Sequence, residues 1–455
     1  MRKNDELELD IHDLHANGHG IGRDVNGKVI FVSGALPGDR VHARLLKVKK
    51  QYAYGKAMEI ITPSPHRLQE NDPRICPVSS KCGGCQFQNF NYHAQLTFKE
   101  KLVRDALIRI GGCENPPVLP ILGMDEPYYY RNKAQFPVGS DGKKPLIGFY
   151  APRSHRIVPI NGCNIHHPLC GEVLRKVKYL LKAHPIPIYN EETHKGLLRH
   201  VIVRVGFSTG EVMVIFVLNS SDPHQIQMSG FCHSDLFTGK GFSFLYNKNT
   251  AKTNVILGDQ FTVLQGSGYI HEEIGHIRYR ISPRAFFQVN PVQTKVLYDV
   301  VASHMSGNES VIDAYSGIGG IALYIAGRVQ NVVGVESVED AVKDGVYNAA
   351  LNNIENASFQ CGAAEALVPE LLRGKNYGTL ILDPPRKGCD SGLLDMIVTS
   401  EISKIIYVSC DPATLARDIK QLTSGGYKLE HIQPVDLFPM TGHVETVALL
   451  QRKNP

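Results

Sequence analysis

The stretch VIDAYSGIGG, at residues 311–320, has the pattern of a short apolar strand that runs into a glycine-rich turn and then a helix. Gly317 and Gly319 let the backbone approach a ligand closely, and the helix that follows points its amino terminus at the same place. Asp313 precedes the loop. Glu336 ends the next apolar run, where a carboxylate can accept hydrogen bonds from both hydroxyls of a ribose. The stretch therefore predicts a nucleoside-binding turn.

Apolar runs alternate with helical stretches around this loop, from about residue 283 onward. The alternation predicts a Rossmann-like, doubly wound α/β domain with a parallel sheet, whose strand ends converge on the ligand. The glycine spacing is not the Gly-x-Gly-x-x-Gly of dinucleotide folds. The arrangement of one acidic residue before the loop and a second at the end of the next strand resembles that of S-adenosylmethionine (AdoMet)-dependent methyltransferases. It favours AdoMet over a nicotinamide as the cofactor. The predicted strands are 310–314, 332–336, 379–383, 405–409 and 444–450.

Reactive side chains follow or precede three of these strands. Asp383 opens the run DPPR, which ends at Arg386. Cys410 lies in the run SCDP, and Glu445 ends the run GHVE, which leads into the last strand. Carbon 5 of a pyrimidine is too weak a nucleophile to accept a methyl group unaided. Addition of a thiolate to C6 activates C5, and a base then removes the C5 proton. Cys410 and Glu445 suit these two roles, and we expect Arg386 to lower the pKa of the thiol.

The chain resembles the bacterial 23S ribosomal RNA uracil-5-methyltransferases, in the class that carries an iron–sulfur cluster and an amino-terminal TRAM domain. The resemblance extends over nearly the whole chain. The runs that carry it in the catalytic domain are Phe287–Asn290, Asp313–Gly319, Asp383–Arg386, Ser409–Pro412 and His443–Glu445.

This resemblance implies that Cys410 is the nucleophile and Glu445 the base. It also implies that AdoMet binds beside the loop of Asp313, Gly317 and Gly319. The side chains implied to contact AdoMet are those of Gln288, Tyr315, Glu336 and Asp383. Gly320 departs from the pattern, because some members carry a polar side chain there that reaches the cofactor.

Three cysteines, Cys76, Cys82 and Cys85, lie within ten residues. A tetrahedral site needs a fourth thiolate, for which Cys163 is the first candidate and Cys170 the second. Four thiolates suit either zinc or an iron–sulfur cluster, and the spacing leaves both open. The family resemblance implies a [4Fe–4S] cluster on the first three cysteines and Cys163. Methyl transfer to an activated C5 needs no electron, so we expect the cluster to be structural or to position RNA.

Lysines and tyrosines are interleaved near the amino terminus, where short apolar runs and glycine turns predict a small OB-like barrel, the TRAM domain of the resemblance. Lys47 and Lys49 are candidates for contacts with RNA phosphates, and the tyrosines beside them for stacking on bases. A solvated barrel edge guarded by lysines is the alternative. Arg131, Lys133 and Arg386 are further candidates for RNA contacts.

The chain has 455 residues and a net charge of +5, which permits a polyanionic partner. We predict a barrel over residues 1–62 and a β-rich central domain with the cluster over residues 63–92 and 127–282. The catalytic domain is predicted over residues 93–126 and 283–455. No signal-peptide core or membrane-spanning run is present, so we expect a cytoplasmic, monomeric protein.

The sequence thus predicts AdoMet-dependent methylation of C5 of a uridine in RNA, with 23S ribosomal RNA as the substrate that the resemblance implies. Three alternatives remain at this point. The substrate could be transfer RNA, the base could be cytosine, or the chain could be a non-catalytic RNA-binding iron–sulfur protein. The last is opposed by the joint presence of Cys410, Glu445 and the cofactor loop.

Overall fold

The amino-terminal part of the chain forms a closed barrel of five strands in the order β1-β2-β3-β5-β4. The structure, a computed structural model, describes residues 1–142, 144–220, 241–374 and 377–453. Alternate side chains of the barrel strands point inward, and Ile30, Val32 and Leu45 are fully buried among them. The predicted amino-terminal barrel is therefore confirmed. Its strands are β1 (Glu6–Leu14), β2 (His19–Arg23), β3 (Val29–Ser33), β4 (Arg40–Val48) and β5 (Tyr52–Thr62).

A seven-stranded sheet forms the middle of the chain, in the order β12-β11-β10-β9-β6-β7-β8. Strands β9 and β10 pair antiparallel as the predicted hairpin, but β10 and β11 run parallel. Helix α2 (Pro168–Ala183), which the strand pattern does not predict, packs on this sheet through Val173, Leu174 and Val177. The strands are β6 (Lys133–Ser140), β7 (Pro145–Tyr150), β8 (Ile157–Pro159), β9 (Leu198–Val205), β10 (Val212–Leu218), β11 (Phe242–Lys248) and β12 (Gln260–Gln265).

A small hairpin links this sheet to the carboxy-terminal part of the chain. Its strands, β13 (Ile270–Ile274) and β14 (Ile277–Ile281), form a separate two-stranded sheet. Tyr279 is fully buried in the carboxy-terminal core, and Arg280 pairs with Asp344 at 2.8 Å. The hairpin therefore packs with the carboxy-terminal part, although the predicted boundary at residue 282 assigns it to the central domain. The boundaries of the three domains stay a prediction.

The carboxy-terminal sheet has seven strands in the order β17-β16-β15-β18-β19-β21-β20. Strands β15 to β19 run parallel as predicted, and apolar clusters cover both faces of the sheet. Strand β21 is antiparallel to both β19 and β20, because a loop rather than a helix joins β20 to β21. The strands are β15 (Ser310–Ala314), β16 (Asn331–Glu336), β17 (Ala357–Cys361), β18 (Thr379–Leu382), β19 (Lys404–Ser409), β20 (Tyr427–Val435) and β21 (Glu445–Arg452).

Helices flank this sheet, and one of them comes from far upstream. Helix α1 (Tyr92–Arg109) begins at its cap Asn91, whose side chain accepts the Ala94 N–H at 2.9 Å. Its Val103 and Leu107 pack into the carboxy-terminal core. The other helices are α3 (Pro291–Ala302), α4 (Gly320–Ile325), α5 (Glu339–Leu351), α6 (Ala364–Gly374), α7 (Ser391–Thr399) and α8 (Pro412–Ser424). Within the described ranges, no helix has the length and hydropathy needed to cross a membrane.

The loop between β20 and β21 lies against the barrel. A Cβ on Gly442 would lie 1.8 Å from the carbonyl oxygen of Ala16 in the β1–β2 loop. Gly442→Ala should therefore force these two loops apart and lower the apparent melting temperature by about 2–4 °C. Gly327→Ala is the matched control, because nothing lies within 4 Å of its Cβ position. Equal melting temperatures for the two variants in a thermal denaturation experiment would contradict this contact.

Candidate active site

A cavity of about 690 Å³ opens at the carboxyl ends of the parallel strands β15, β16, β18 and β19. Ligands of doubly wound sheets bind at this edge. The strand ends contribute Asp313, Glu336, Asp383 and Cys410 to the wall, and Glu445 enters from the start of β21. The residues that the sequence singles out at separate strand ends therefore meet in one cavity.

The glycine-rich turn between β15 and α4 has a left-handed backbone at several positions. Gly319 has φ +84°, and a Cβ on it would lie 2.7 Å from the Phe359 ring, so glycine is required. Gly317 has φ +56° and donates its N–H to Glu336 Oε2 at 3.0 Å. Tyr315 is also left-handed, with φ +67°, which is costly for a residue with a side chain. The turn is thereby fixed beside the Glu336 carboxylate.

Asp313 is a buried acid with one unpaired oxygen. Its Oδ2 accepts the Ala322 N–H at 2.9 Å, while its Oδ1 has no hydrogen-bond partner among the described residues. Burial, and then the nearby Asp383, raises the pKa of Asp313 well above its usual range, and burial raises the pKa of Asp383 to about 7. Unpaired buried acids are costly, so this wall suits a ligand that brings positive charge or hydrogen-bond donors.

Gln288 and Tyr298 line the cavity on the side of α3. Asn132 of the central part of the chain donates through Nδ2 to the Gln288 carbonyl oxygen at 3.0 Å and so holds that segment in place. A Cβ on Gly320 would lie 2.4 Å from the Tyr298 hydroxyl oxygen. The Tyr298 ring thus takes the space that a side chain at position 320 would need. This gives the departure at Gly320 a steric reason.

Cys410 and Glu445 are neighbours because β19 and β21 are adjacent antiparallel strands. Ser409 and Thr446 are paired in register, and the Thr446 hydroxyl donates to the Ser409 carbonyl oxygen at 3.0 Å. Cys410 directly follows Ser409, and Glu445 directly precedes Thr446, so both lie at the same edge of the sheet. The predicted pair of a thiol and a carboxyl is therefore brought together across this one strand pair.

The Cys410 thiol has a raised pKa, although Arg386 acts on it in the predicted direction. Burial is the main cause and the Glu445 carboxylate the second, and the pKa rises to about 11. Arg386 acts in the predicted direction, because its positive charge lowers the pKa of the thiol, but burial outweighs it. The degree of burial is a property of the packed fold, which the local motif does not contain.

Glu445 is a buried carboxyl group on the other side of this pair. Burial raises its pKa well above the usual range, Asp383 raises it further, and Arg386 lowers it. A buried carboxyl group with a raised pKa in a cleft is suited to holding and exchanging a proton. Arg386 therefore acts on both members of the pair, favouring the thiolate of Cys410 and the carboxylate of Glu445.

Phe286 is a cavity residue that the sequence interpretation missed. It lines the cavity beside Gln288, yet its ring is 73% exposed. A phenylalanine this exposed at the mouth of a cavity is suited to stacking on a flat ligand. The only sign of it in the sequence is that Phe286 directly precedes Phe287 and Gln288. The sequence alone does not distinguish such a phenylalanine from a core residue.

A second cavity, of about 280 Å³, is lined by cysteines Cys76, Cys82, Cys85 and Cys163. The charges of neighbouring cysteines raise the pKa values of Cys85 and Cys163, although burial is the larger cause. The alternative ligand Cys170 is buried in α2 and is not part of the wall. In the described ranges, no group of three or more His, Cys, Asp and Glu side chains has the arrangement of a metal-ion site. The four candidate cysteines nevertheless surround one space.

Two of the predicted RNA-contacting residues, Arg131 and Lys133, line this same cavity. The pKa of Lys133 is lowered to about 7. Burial is the main cause, and the nearby positive charges of Arg204 and Arg131 are the next. Positive side chains in this position can offset the charge of thiolates. Contacts of Arg131 and Lys133 with RNA stay a prediction.

The predicted lysines of the barrel stand beside a cluster of aromatic rings. Phe31, Tyr52 and Tyr54 are half-buried, and their ring centroids are 5.5 to 5.9 Å apart. The strand register pairs Lys47 with Tyr54, and the Lys49 N–H donates to the Tyr52 carbonyl oxygen at 2.8 Å. Both lysine side chains are exposed. The barrel therefore presents a cluster of aromatic rings, packed edge-on or tilted, with flanking cations, as nucleic-acid-binding surfaces do.

Two family descriptions match the chain. The family described as tRNA (uracil-5-)-methyltransferase matches residues 252–453, and the TRAM domain matches residues 2–58. An uncharacterized RNA methyltransferase of Halalkalibacterium halodurans is 44% identical over 458 residues, covering 100% of this chain and 98% of the relative. An uncharacterized RNA methyltransferase of Clostridium tetani is 42% identical over 455 residues, covering 99% of this chain and 97% of the relative.

A solved structure is similar over the same extent. It is the Pyrococcus abyssi tRNA (uracil-54, C5)-methyltransferase in complex with S-adenosyl-L-homocysteine, with a TM-score of 0.78 and 29% identity. The match covers 98% of this chain and 100% of that protein. The similarity therefore includes the barrel, the central sheet and the carboxy-terminal sheet together.

The opposing effects on the thiol can be separated by substitution of Arg386. Arg386→Ala removes the charge that lowers the pKa of Cys410, so alkylation of Cys410 by iodoacetamide at pH 8 should slow by about threefold to tenfold. The rate is read by mass spectrometry of the peptide that contains Cys410. Lys387→Ala, which removes the next cation along the chain, should leave the rate within about twofold of the parent. Faster alkylation in the Arg386 variant would contradict the charge effect.

Proposed function

We propose that this chain, which belongs to the RNA uracil-5-methyltransferase family, transfers a methyl group from AdoMet to carbon 5 of a uridine in 23S ribosomal RNA. The observation that carries the proposal is the placement of Cys410 and Glu445 on adjacent strand ends, in the cavity that also contains the glycine-rich turn. A nucleophile and a base that can both reach one pyrimidine ring are what C5 methylation requires.

AdoMet fits the acidic wall of the cavity. Glu336 is placed to accept hydrogen bonds from the ribose hydroxyls, and Asp313 has an unpaired buried oxygen that a donor on the ligand would satisfy. The Asp383 carboxyl group adds a further hydrogen-bond acceptor beside them. The other contacts that the family implies, from Gln288 and Tyr315, line the same cavity. When bound, AdoMet supplies an electrophilic methyl group.

Cys410 starts the reaction as a thiolate that adds through Sγ to C6 of the uracil. The C5–C6 double bond opens, C5 becomes nucleophilic, and C5 takes the methyl group that AdoMet would supply; the bond from that methyl group to the sulfonium sulfur breaks, leaving S-adenosyl-L-homocysteine. Glu445 then takes the proton from C5, the C6–S bond breaks, and the thiolate leaves as the double bond returns. Arg386 favours the charged form of both groups, which offsets part of the cost of burying them. The carboxylate form of Glu445 is needed only in the second half of this sequence.

The uridine must leave its helical stack before Cys410 can reach C6. Phe286 is exposed at the cavity mouth, where its ring can stack on the extruded base. The barrel rings Phe31, Tyr52 and Tyr54, with Lys47 and Lys49, supply a surface for neighbouring nucleotides. The barrel lies against the loop that leads to Glu445, through Ala16 and Gly442, so RNA on the barrel can continue to the catalytic cleft.

Transfer RNA is the second candidate substrate. The matching family description and the Pyrococcus abyssi structure both name tRNA uracil as the target of those proteins. The ribosomal substrate is favoured by the combination of a TRAM barrel with the cysteine cavity, which is the class that the sequence resembles. Cytosine methylation uses the same thiolate chemistry and is an outcome that product analysis separates. We further propose that the enzyme is monomeric and cytoplasmic and that it is divided into the three predicted domains.

We also propose that Cys76, Cys82, Cys85 and Cys163 hold a [4Fe–4S] cluster. The cavity between them has about 280 Å³, against about 30 Å³ for the share of one water molecule in the liquid. It therefore has room for a group of several atoms. The nearby positive side chains of Arg131 and Lys133 would offset the charge of four thiolates. The cluster would cross-link segments of chain that are far apart in sequence.

Cys163→Ser should lower the iron content of anaerobically purified protein to less than about half of the parent value, because one of four ligands is lost. Cys170→Ser is the matched control, since Cys170 lies near this cavity but not in its wall. It should retain the parent's iron content and visible absorbance. Zinc in place of iron in the parent protein would rule out the cluster, and equal loss in both variants would contradict the choice of Cys163.

Covalent trapping tests the proposed chemistry. RNA that contains 5-fluorouridine should form a denaturation-stable adduct with the parent protein, because fluorine cannot leave C5 as the proton does. Cys410→Ala should abolish the adduct, and Cys361→Ala, which changes an exposed cysteine, should not. Glu445→Gln should still form it, and with ordinary uridine RNA should accumulate a methylated adduct that cannot resolve. An adduct in the Cys410 variant would show that another residue is the nucleophile.

A further inference from the structure

The loop that leads into Glu445 is held from outside its own sheet. It consists of residues 436–443, between β20 and β21, and is called the base loop below. Its Met440 has a left-handed backbone with φ +65°, which is unfavourable for a residue with a side chain. Such a conformation persists only where surrounding contacts impose it. The residues that supply those contacts therefore add to the strand register of β21 in positioning Glu445.

Helix α1 supplies a buried ion pair at the start of the base loop. Lys99 donates through Nζ to Asp436 Oδ1 at 2.6 Å and to the Phe438 carbonyl oxygen at 2.9 Å. Both side chains of the pair are fully buried. The Tyr92 hydroxyl donates to the other Asp436 oxygen at 2.9 Å. Buried charges are retained only when they are paired and hydrogen-bonded in this way, so the pair fixes α1 and the loop to each other.

Gln95, one turn before Lys99 on the same helix, joins the base loop to residues 76–90, which contain Cys76, Cys82 and Cys85 and are called the cysteine-bearing segment below. Its Oε1 accepts the Met440 N–H at 2.9 Å, and its Nε2 donates to the Phe90 carbonyl oxygen at 2.7 Å. The side chain is fully buried. Since an unmade hydrogen bond in the interior is costly, one amide side chain links the two segments rigidly.

The cysteine-bearing segment itself also contacts the base loop. Phe87, two residues after Cys85, donates its backbone N–H to the Met440 carbonyl oxygen at 3.0 Å. The Tyr130 hydroxyl donates to the Pro439 carbonyl oxygen at 2.9 Å, and its buried ring packs in one cluster with Met440, Cys85 and Cys163. The wall of the cysteine cavity and the base loop are therefore in direct contact.

Cys410 is positioned by different elements. It follows β19, and the next residue, Asp411, caps α8 by accepting the backbone N–H groups of Ala413 and Thr414 at 2.9 and 3.0 Å. The helix cap holds the residue after Cys410 through contacts that do not involve the base loop. A change in the base loop should therefore displace Glu445 more than Cys410.

We propose that Gln95, Lys99 and Tyr130 are positioning residues for Glu445, through which α1 and the cysteine-bearing segment align the base for the proton-removal half of the reaction. This inference rests on the proposed covalent mechanism. It gives the cysteine site a role in catalysis that requires no electron transfer: the site holds the base in place.

The test compares the two halves of the reaction in iron-replete protein. Tyr130→Phe removes the hydrogen bond to the Pro439 carbonyl oxygen and keeps the ring, and Gln95→Leu removes the side-chain hydrogen bonds that join the two segments. In both variants, the adduct that accumulates on ordinary uridine RNA should rise at least about fivefold and the turnover number should fall about fivefold to hundredfold. Trapping by 5-fluorouridine RNA should stay within about twofold of the parent. Lys101→Met is the matched control on the same helix, because Lys101 pairs at the surface with Asp13 and Asp105.

The outcomes separate the possibilities. Equal loss of trapping and of turnover, as general destabilisation would give, overturns the positioning role. Unchanged turnover in both variants also overturns it. Tyr130→Phe decides the matter if Gln95→Leu does not fold. Absence of trapping in the parent protein would instead defeat the proposed function on which the inference rests.

Discussion

The antiparallel pairing of β21 with β19 is the constraint on which the proposed chemistry depends. The pairing of Ser409 with Thr446 brings Cys410 and Glu445 together at one edge of the sheet. A shift of one residue would turn every side chain of β21 to the opposite face. It would move Glu445 out of the cavity and break the hydrogen bond that the buried Thr446 hydroxyl donates to Ser409. Cys410 and Glu445, with 34 residues of sequence between them, are thus brought together by one strand register. The hydrogen bond from the Thr446 hydroxyl to the Ser409 carbonyl oxygen stabilises that register.

Electrostatics in the cavity are dominated by burial. The pKa values of Asp313, Asp383 and Glu445 are all raised, with burial as the first cause in each. Arg386 opposes this for Glu445 and also for the thiol of Cys410. An enclosed acidic wall suits a positively charged ligand, and an arginine beside a nucleophile and a base favours the charged form that each must adopt. The same group of charged side chains therefore serves both ligand binding and the activation of Cys410 and Glu445.

The sequence predicts those parts of the site that are local or sit at strand ends. The glycine turn, Glu336, Cys410 and Glu445 follow from short motifs placed on a parallel sheet. The antiparallel direction of β21 does not, because it depends on a loop that takes the place of a helix between β20 and β21. The raised pKa of Cys410 was also missed, since burial arises only on packing. Gln95 and Lys99 reach the base loop across more than 300 residues, and no local pattern indicates such a contact.

The most direct test of the proposed function is to identify the methylated nucleotide. Undermethylated ribosomal RNA and transfer RNA would each be incubated with the protein and isotopically labelled AdoMet, digested, and mapped by mass spectrometry. The account predicts label in 5-methyluridine at a defined position of 23S ribosomal RNA. Label in 5-methyluridine of transfer RNA alone would retain the chemistry and contradict the substrate. Label in cytidine, or no label in either RNA, would contradict the central claim.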